Sequence, residues 1–526
     1  MKTPFRNVLT VLLAVVLLLT ACKNSSTTSD NLSLPRGVPE EEGVSSEDIM
    51  TFLDAAAASG IEYHSFMLLR HGKVIAEGWW NPYKPEYRHT MYSASKSFTS
   101  TAIGFAVSEN LLTVNDKVIS FFPDELPAEV SPNLADMEVR DLLSMTAGQD
   151  PDPTFLIPPH DSNWVKAFLA LPVLNDPGTK FLYNSMATYM LSAIVQKVTG
   201  EKVVDYLTPR LFEPLGIQGM DWEVDPMGIN SGGWGLRIKT EDMAKFGQLY
   251  LQKGDWNGQQ IIPAAWIEEA SSSKIDQSPE ATQAARDSSD WLQGYCYQFW
   301  RCRNNGFRAD GAFGQFIIVL PDKDAVVVFT TETSKTQEEL YLVWDYLLPA
   351  MKDEKLPENT GAEEQLKTKL AALALPLPQK DANIDASATE GSIQDKSFTI
   401  DANDRNIEEI SFHFMEGMCH MSITINSKEY PLTFGDDHWI SSVTAKPGPN
   451  LLNRALAHFE VMPTSVVAGS FAWTDANTLA MVHRYVESAH HEVFTCTFDK
   501  DKVAMDILTS YMPDAKVPVI TGTLIK

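Results

Sequence analysis

The chain has 526 residues, 44% of them hydrophobic, so it can bury a large core, and its length favours two or more domains. This composition excludes a disordered protein. The formal net charge is −27, from 69 acidic and 42 basic side chains, which repels phosphate backbones and anionic lipids and argues against nucleic acid as a partner.

Residues 1–22 have the pattern of a targeting segment. Lys2 and Arg6 precede an apolar run at 8–19, which is shorter than the roughly 20 residues needed to span a bilayer. The sequence Leu-Thr-Ala-Cys that ends the segment resembles the lipobox of bacterial lipoproteins, which implies cleavage before Cys22 and lipidation of its sulfur. A plain secretory signal and a short anchor are the alternatives.

The lipoprotein interpretation predicts a protein exported to the bacterial cell envelope and held there by lipid, in the periplasm or at the cell surface. Residues 23–37, rich in Ser and Thr, are then a flexible tether. The lipid anchor would be the protein's only contact with the membrane.

Export permits disulfides without requiring them. Cys296 and Cys302 fall in and beside a predicted strand at 295–301, where six steps of about 3.3 Å separate them too far for a bridge. Whether Cys419 pairs with Cys496 stays open.

The first predicted elements of the folded part are a helix and a hairpin. The helix covers 44–59, with Ser46 as its cap and Gly60 after its end. Strands at 65–70 and 74–80 follow and lead into the segment that carries the main motif.

That motif is a Ser-x-x-Lys pair, Ser93 and Lys96, at the start of a strongly apolar helix. Residues three apart share one helix face, so the Lys96 amine can reach the Ser93 hydroxyl. Burial lowers the pKa of an amine toward neutrality, and such an amine can take the serine proton during attack, which allows an acyl-enzyme to form.

The spacing alone is not specific, because Ser271 and Lys274 repeat it in a polar segment. Only the first pair is followed by an apolar helical stripe. The alternative for Ser93 and Lys96 is an N-cap serine beside a solvated lysine.

Tyr183 precedes a second apolar helix, which Gly200 stops. A tyrosine held close to a lysine favours its phenolate form and can carry a proton between nucleophile and leaving group. A core tyrosine with a single hydrogen bond is the alternative.

Strands at 295–301, 314–320 and 325–331 are predicted as antiparallel neighbours, followed by a helix at 337–351. Beyond about residue 390, alternating strands with closely spaced turns favour a β-sandwich or a small barrel.

The sequence gives little support for a phosphate-binding loop, for other hydrolase motifs or for a metal site. The glycine loop at 232–235 lacks the features of a phosphate cradle, and neither Gly-x-Ser-x-Gly nor His-Glu-x-x-His occurs. His490, His491 and Glu492 stand in a row but are better explained by packing. We therefore predict no cofactor and no metal, and a small molecule or peptide as the substrate.

Several motifs together resemble those of the serine β-lactamase and penicillin-binding-protein family, most closely its class C and esterase-like branch. The match covers about residues 38–350. The motifs, in order, are Ser93-Ala94-Ser95-Lys96, Leu142-Leu143-Ser144-Met145-Thr146-Ala147-Gly148, Tyr183-Asn184-Ser185, and Gly294-Tyr295 through Gly311 to Gln315.

The resemblance implies an α+β fold, in which an antiparallel sheet flanked by helices stands beside a helical subdomain, with the active site between them. We assign this domain to 38–352, a linker with a helix to 353–389, and a small all-β accessory domain to 390–526. The catalytic region is expected to fold without the segment after about residue 375.

The resemblance also implies roles for individual residues. Ser93 would be the nucleophile, with Lys96 and Tyr183 as the general base machinery. The amides of Ser93 and Ala312 would form the oxyanion hole. Contact with substrate is expected from Ser185, Trp234, Asp310, Gly311 and Ala312.

Two departures from the family pattern bear on the substrate. Tyr-x-Asn becomes Tyr183-Asn184-Ser185, and Lys-Thr-Gly or His-x-Gly becomes Ala309-Asp310-Gly311, without a cation. A substrate carboxylate would lose a charge-assisted contact worth ~1.5 to 3 kcal/mol. This favours an esterase or amidase over an efficient β-lactamase or DD-peptidase, unless Asp310 lies on the other face of its strand. The rival is a penicillin-binding or sensor-type protein that is acylated without efficient turnover.

Overall fold

The computed structural model describes residues 33–380, 383–449, 455–460, 464–513 and 518–525. The predicted signal, Cys22 and most of the tether lie outside these residues. Pro35–Lys526 forms one compact unit. Within the described ranges, the helices are all too short or too polar to cross a bilayer.

A six-stranded antiparallel sheet forms the centre of the N-terminal region. Its strands are β1 (Glu62–Arg70), β2 (Lys73–Trp79), β8 (Trp300–Arg301), β9 (Phe307–Gly311), β10 (Gln315–Leu320) and β11 (Ala325–Glu332), in the order β2-β1-β11-β10-β9-β8. Short strands between β2 and β8 form two small sheets: β3 (His89–Thr90), β4 (Asp221–Trp222) and β5 (Leu236–Ile238) in one, and β6 (Asp255–Trp256) and β7 (Gln259–Gln260) in the other.

Helices surround this sheet and build a second region beside it. In chain order they are α1 (Ser46–Ala58), α2 (Ser95–Ser108), α3 (Pro132–Asp136), α4 (Val139–Leu143), α5 (Trp164–Ala170), α6 (Ser185–Thr199), α7 (Val203–Leu207), α8 (Thr240–Leu251), α9 (Ala264–Ser271), α10 (Gln283–Ser288), α11 (Thr336–Leu342), α12 (Leu348–Ala350) and α13 (Thr360–Ala371). A further helix, α14 (Ser387–Ile393), packs instead on the strands of the C-terminal domain.

The central strands are buried on both faces because helices cover each side. On one face, Phe52 of α1 and Leu340 of α11 share a core with Phe66 of β1. On the other, Gly247 of α8 lies so close to Val326 that a Cβ on the glycine would come within 2.6 Å of its Cγ1. Only glycine allows the helix this approach, and β1 consequently lacks the alternating polar pattern of a half-exposed strand.

The first helix begins one residue away from its predicted cap. Ser45, not Ser46, accepts the hydrogen bond from the Asp48 amide. Ser46 is instead the first helical residue, where its amide and hydroxyl both donate to the buried Glu40 carboxylate. Two adjacent serines cannot be ranked as caps by residue type alone, since the distinction depends on this distant acid.

The predicted strand at 295–301 is wrong except for its last two residues. The Cys296 amide donates to the Phe299 carbonyl at 2.8 Å, and Gln298 has a φ of +64°, so the chain makes a tight turn. The Gln298 side chain donates to the carbonyls of Leu142 and Leu143 at 3.0 and 2.9 Å, which binds this turn to α4. The apolar run is thus a buried turn.

The four cysteines that the structure describes are all free thiols. Cys296 and Cys302 are buried free thiols, in agreement with the prediction that they do not pair. Cys419 and Cys496 are also free and lie in the interior of the C-terminal domain.

The C-terminal domain is a barrel. Its strands are β12 (Lys396–Ile400), β13 (Ile407–Met415), β14 (Met418–Ile425), β15 (Lys428–Asp436), β16 (Ile440–Thr444), β17 (Ser465–Asp475), β18 (Thr478–Tyr485), β19 (His491–Asp499), β20 (Lys502–Thr509) and β21 (Ile520–Leu524). They form one sheet in the order β15-β14-β13-β12-β21-β20-β19-β18-β17-β16. A parallel pairing closes the sheet by joining β15, the first strand of this order, to β17, the last but one.

Alternation along the strands fills the barrel. In β14, Cys419, Met421 and Ile423 point inward while the residues between them are partly exposed. Closure in this way satisfies backbone groups that an open edge would leave unpaired. The expected α+β fold with an all-β C-terminal domain is confirmed, and of the two predicted architectures for that domain the barrel is the one present.

Candidate active site

Ser93 lies in a single 3₁₀ turn, Tyr92–Ala94, that leads directly into α2. The helix is buried along almost its whole length, from Ser95 to Ala106. Lys96, in its first turn, is only 1% exposed. Its Nζ lies 3.4 Å from Ser93 Oγ, so the Ser-x-x-Lys spacing brings the two groups together as expected.

Burial sets the protonation of this lysine. It lowers the pKa of Lys96 to about 7, and the nearby Asp152 carboxylate opposes the shift only in part. An ordinary lysine is charged at neutral pH, whereas this one is close to half neutral. The Lys96 amine can therefore accept a proton under physiological conditions.

The other contacts of Lys96 orient its lone pair. Nζ lies 2.7 Å from the Gly233 carbonyl and 2.9 Å from Ser185 Oγ. A neutral amine has two hydrogens, which these two oxygens can accept, and the remaining lone pair is then directed at Ser93 Oγ. A side chain on Gly233 would disturb this arrangement, because its Cβ would lie 2.8 Å from the Ser185 carbonyl and 3.2 Å from Nζ.

Tyr183 lies just before α6, which Asn184 caps by accepting from the Ala187 amide. Its ring centroid is 5.1 Å from Lys96 Nζ. Burial raises the pKa of Tyr183 above its usual value, an effect that the neighbouring Ser93 hydroxyl opposes and the Asp310 carboxylate reinforces. The predicted phenolate is wrong because burial raises the pKa of Tyr183, and the neighbouring Lys96, whose own pKa is lowered to about 7, does not offset this effect. Tyr183 is a neutral phenol.

The end of β9 is packed against the turn that carries Ser93. A Cβ on Gly311 would lie 2.2 Å from the Met91 carbonyl, so this position requires glycine. The next residue, Ala312, opens the hairpin to β10. Among the residues that the structure describes, neither the Ser93 amide nor the Ala312 amide donates to a backbone carbonyl. Both N–H groups are therefore available to a ligand.

Asp310 has the cationic neighbour that sequence analysis did not find. Arg308, two residues earlier on the same strand face, donates from Nε to Asp310 Oδ2 at 2.9 Å. Arg308 is fully buried and its guanidinium lies 4.5 Å from the Trp291 ring centroid. The Asp310 carboxylate contributes to the raised pKa of Tyr183, but burial raises the pKa of Asp310 itself, and the Arg308 guanidinium opposes that shift.

Two predicted substrate contacts have other surroundings. Ser185 is 8% exposed and bonds to Lys96, while its amide donates to Thr154 Oγ1 at 3.0 Å. Trp234 is 4% exposed, packs against Trp164 at 5.7 Å between ring centroids and donates to Glu223 at 3.0 Å. In this structure Trp234 is a core side chain rather than part of an open pocket, and its loop reaches the site through the Gly233 carbonyl.

Sequence analysis missed Asp152 and the role of Gly233. Asp152 is partly exposed, and its Oδ1 accepts from the amide and the hydroxyl of Thr154 at 3.0 and 2.6 Å. Its distance in sequence from Ser93 left no local signal. The Gly-Gly pair at 232–233 was a signal for a close backbone approach, which the search for phosphate loops did not consider.

A family model described as Beta-lactamase matches residues 52–350, more than half of the chain. The chain belongs to the β-lactamase family. The expected family is thereby confirmed, and with it the expectation of a hydrolase.

The chain is also similar to several individual proteins and solved structures. A 6-aminohexanoate-dimer hydrolase of Paenarthrobacter ureafaciens is 27% identical over 282 residues, which are 50% of this chain and 71% of that protein. A Salmonella agona protein assigned as a D-alanyl-D-alanine carboxypeptidase is 24% identical over 144 residues, 25% of this chain and 33% of its own length. A solved structure from Bacillus anthracis, assigned as a 6-aminohexanoate-dimer hydrolase, has a TM-score of 0.51 at 20% identity and covers 62% of this chain and 89% of its own.

Proposed function

We propose that the protein hydrolyses an ester or amide through an acyl-enzyme on Ser93. The observation that carries this proposal is the buried Lys96, which has a pKa of about 7 and lies 3.4 Å from Ser93 Oγ. Such an amine is matched to proton transfer at neutral pH. It activates a hydroxyl that is otherwise a poor nucleophile.

The proposed reaction has two halves, acylation of Ser93 and hydrolysis of the acyl-enzyme, and the same groups of the site act in both. Lys96 Nζ takes the Ser93 proton as Oγ attacks the substrate carbonyl, and the oxyanion is held by the amides of Ser93 and Ala312. The neutral Tyr183 hydroxyl donates its proton to the leaving group, and the Lys96 ammonium restores it. In the second half, water attacks the acyl ester on Ser93 while Lys96 Nζ takes a proton from that water. The Ser93 Oγ then leaves and regains a proton from the Lys96 ammonium, and the carboxylic acid product is released.

The rival function is acylation without turnover. To separate the two, p-nitrophenyl butyrate is mixed with enzyme at comparable concentration and release of p-nitrophenolate is followed. We expect continued release for many equivalents after the first. A single equivalent with no steady state would assign the protein to the sensor-type class instead.

We propose further that the acyl group of the substrate is neutral or cationic. Of the charges near Ser93, Arg308 is fully buried and bound to Asp310, whereas Asp152 is partly exposed. A substrate carboxylate would therefore meet an accessible negative charge without an accessible permanent cation. The relative named as a 6-aminohexanoate-dimer hydrolase, a name that implies cleavage of an amide bond between two amino acids, supports an amide as one substrate class.

The test is a matched pair of p-nitrophenyl esters, one neutral and one with a terminal carboxylate. Wild type should prefer the neutral ester, and Asp152→Asn should shift the ratio of kcat/KM about two- to tenfold toward the carboxylate ester, as expected for loss of one partly screened charge. Asp310→Asn should shift the ratio in the same direction. The neutral ester is the control, since its kcat/KM should change little. A wild-type preference for the carboxylate would refute this assignment of charge.

We also retain export and lipid anchoring at Cys22 as a proposal. It is supported by the pattern of residues 1–22 and by the cysteine that directly follows Ala21.

A further inference from the structure

The two residues that flank the proposed oxyanion-hole amides have an unusual backbone. Tyr92, directly before Ser93, has a φ of +44°, and Phe313, directly after Ala312, has a φ of +64°. Bulky residues rarely adopt this left-handed conformation, and it persists only where the surrounding structure holds it. The positions of the Ser93 and Ala312 amides therefore depend on contacts that hold Tyr92 and Phe313 in this left-handed conformation.

The same side chain of the barrel contacts both residues. His490, in the turn between β18 and β19, is completely buried. Its Nε2 is 2.5 Å from Tyr92 Oη, and its ring forms a T-shaped pair with the Phe313 ring at 4.8 Å between ring centroids. The rings of Tyr92 and Phe313 also meet directly at 5.6 Å, so the three side chains form one cluster.

The catalytic region fixes the orientation of the histidine ring. His490 Nδ1 lies 2.5 Å from Oε1 of Glu332, the last residue of β11, and Ser510 donates to the same oxygen at 2.5 Å. Burial alone would raise the pKa of Glu332, but hydrogen bonds from His490 and His491 hold it to about 2. An ionised carboxylate only accepts, so Nδ1 carries the proton and Nε2 faces the Tyr92 hydroxyl.

We propose that His490 is a positioning residue for acyl transfer: by holding Tyr92 and Phe313 together, it sets the separation of the Ser93 and Ala312 amides. The barrel is then part of the catalytic unit. This inference rests on the proposed function, because it assigns a role within that same site.

Tyr511 of the barrel also joins this cluster, with its ring centroid 6.3 Å from that of Phe313 and 4.8 Å from that of His490. Two other contacts between the barrel and the catalytic region involve neither Tyr92 nor Phe313. Arg484 binds Glu62 at 2.6 and 3.0 Å, and Tyr83 donates to the Ser488 carbonyl at 3.2 Å. Tyr83 offers a matched control, because Tyr83→Phe removes a tyrosine hydroxyl bonded to the barrel just as Tyr92→Phe does.

The experiment measures kcat and KM for p-nitrophenyl butyrate in Tyr92→Phe, His490→Ala, His490→Gln and Tyr83→Phe, with thermal melting of each full-length variant. We expect His490→Ala to lower kcat about 10- to 100-fold with KM nearly unchanged, because the lost interaction acts only in the transition state. His490→Gln, whose amide can still bond to Tyr92, should recover part of the loss. Tyr83→Phe should stay within about twofold of wild type.

The pairing of His490 with Tyr92 is tested by the double variant. The double variant Tyr92→Phe, His490→Ala should lower kcat little more than His490→Ala alone, because both changes remove the same hydrogen bond between Tyr92 and His490. Full multiplication of the two losses, an unchanged kcat in folded His490→Ala, or an equal loss in Tyr83→Phe would overturn the proposal. If His490→Ala does not fold, kcat of Tyr92→Phe against Tyr83→Phe decides it.

A failure of the proposed function has a different signature. A fluorophosphonate probe would then leave Ser93 unlabelled in the wild type. Wild-type labelling together with full activity of the His490 variants would instead reject the positioning role alone.

Discussion

Replacement of Lys96 by methionine should lower the rate of acylation roughly 10²- to 10⁴-fold, the range for loss of a general base. Methionine fills a similar volume and suits the buried site, so the fold should survive. Pre-steady-state release of p-nitrophenolate measures the acylation step directly. Thermal melting provides the control for folding.

The pH dependence identifies the base. With a pKa of about 7, Lys96 is protonated below this pH and cannot accept the serine proton. Wild-type kcat/KM should therefore rise about tenfold per pH unit below 7 and level off above it, and the Lys96→Met variant should lose this dependence.

A second substitution of Lys96 distinguishes its role as a proton acceptor from a role in which only its positive charge matters. Lys96→Arg keeps a cation that cannot be deprotonated, so it should be as inactive as the methionine variant. Retained activity with arginine would show that positive charge, rather than proton transfer, is what the site needs. Tyr183→Phe combined with Lys96→Met should lose little more than Lys96→Met alone, because the two groups serve one proton path.

Local patterns predicted the parts of this site that lie close in sequence. Ser93 and Lys96 are one helical turn apart, so their contact follows from helix geometry alone. The two strands of the hairpin, and several but not all strands of the barrel, were likewise visible from alternation and turn residues. The depressed pKa of Lys96 followed from the apolar residues around it.

Features that depend on distant residues were not predictable in this way. The pair of Arg308 and Asp310 is local and was overlooked, because residues two apart on a strand share one face. The burial of this pair beside Trp291 depends on more distant parts of the chain. The turn at 295–301 resembled a strand, since its apolar residues are as buried as those of a strand. Its direction is set by Gln298 bonding to α4, more than 150 positions earlier in the chain.

His490 shows most clearly how a contact can depend on residues distant in sequence. Its position beside Val493 and Phe494 favoured ordinary packing, and it is indeed buried. Its contact with Tyr92, 398 positions away, appears only once the barrel is docked against the sheet. The accessory domain could be predicted as β-rich, whereas its contact with the catalytic turn could not.

Covalent labelling of Ser93 tests the central claim most directly. The full-length protein is incubated with a fluorophosphonate, and the mass of the intact chain and of its peptides is measured. We predict one adduct, on the peptide that contains Ser93, and complete loss of labelling and of esterase turnover in Ser93→Ala, with Ser271→Ala as the matched control that labels like wild type. Labelling that persists in Ser93→Ala would contradict the account.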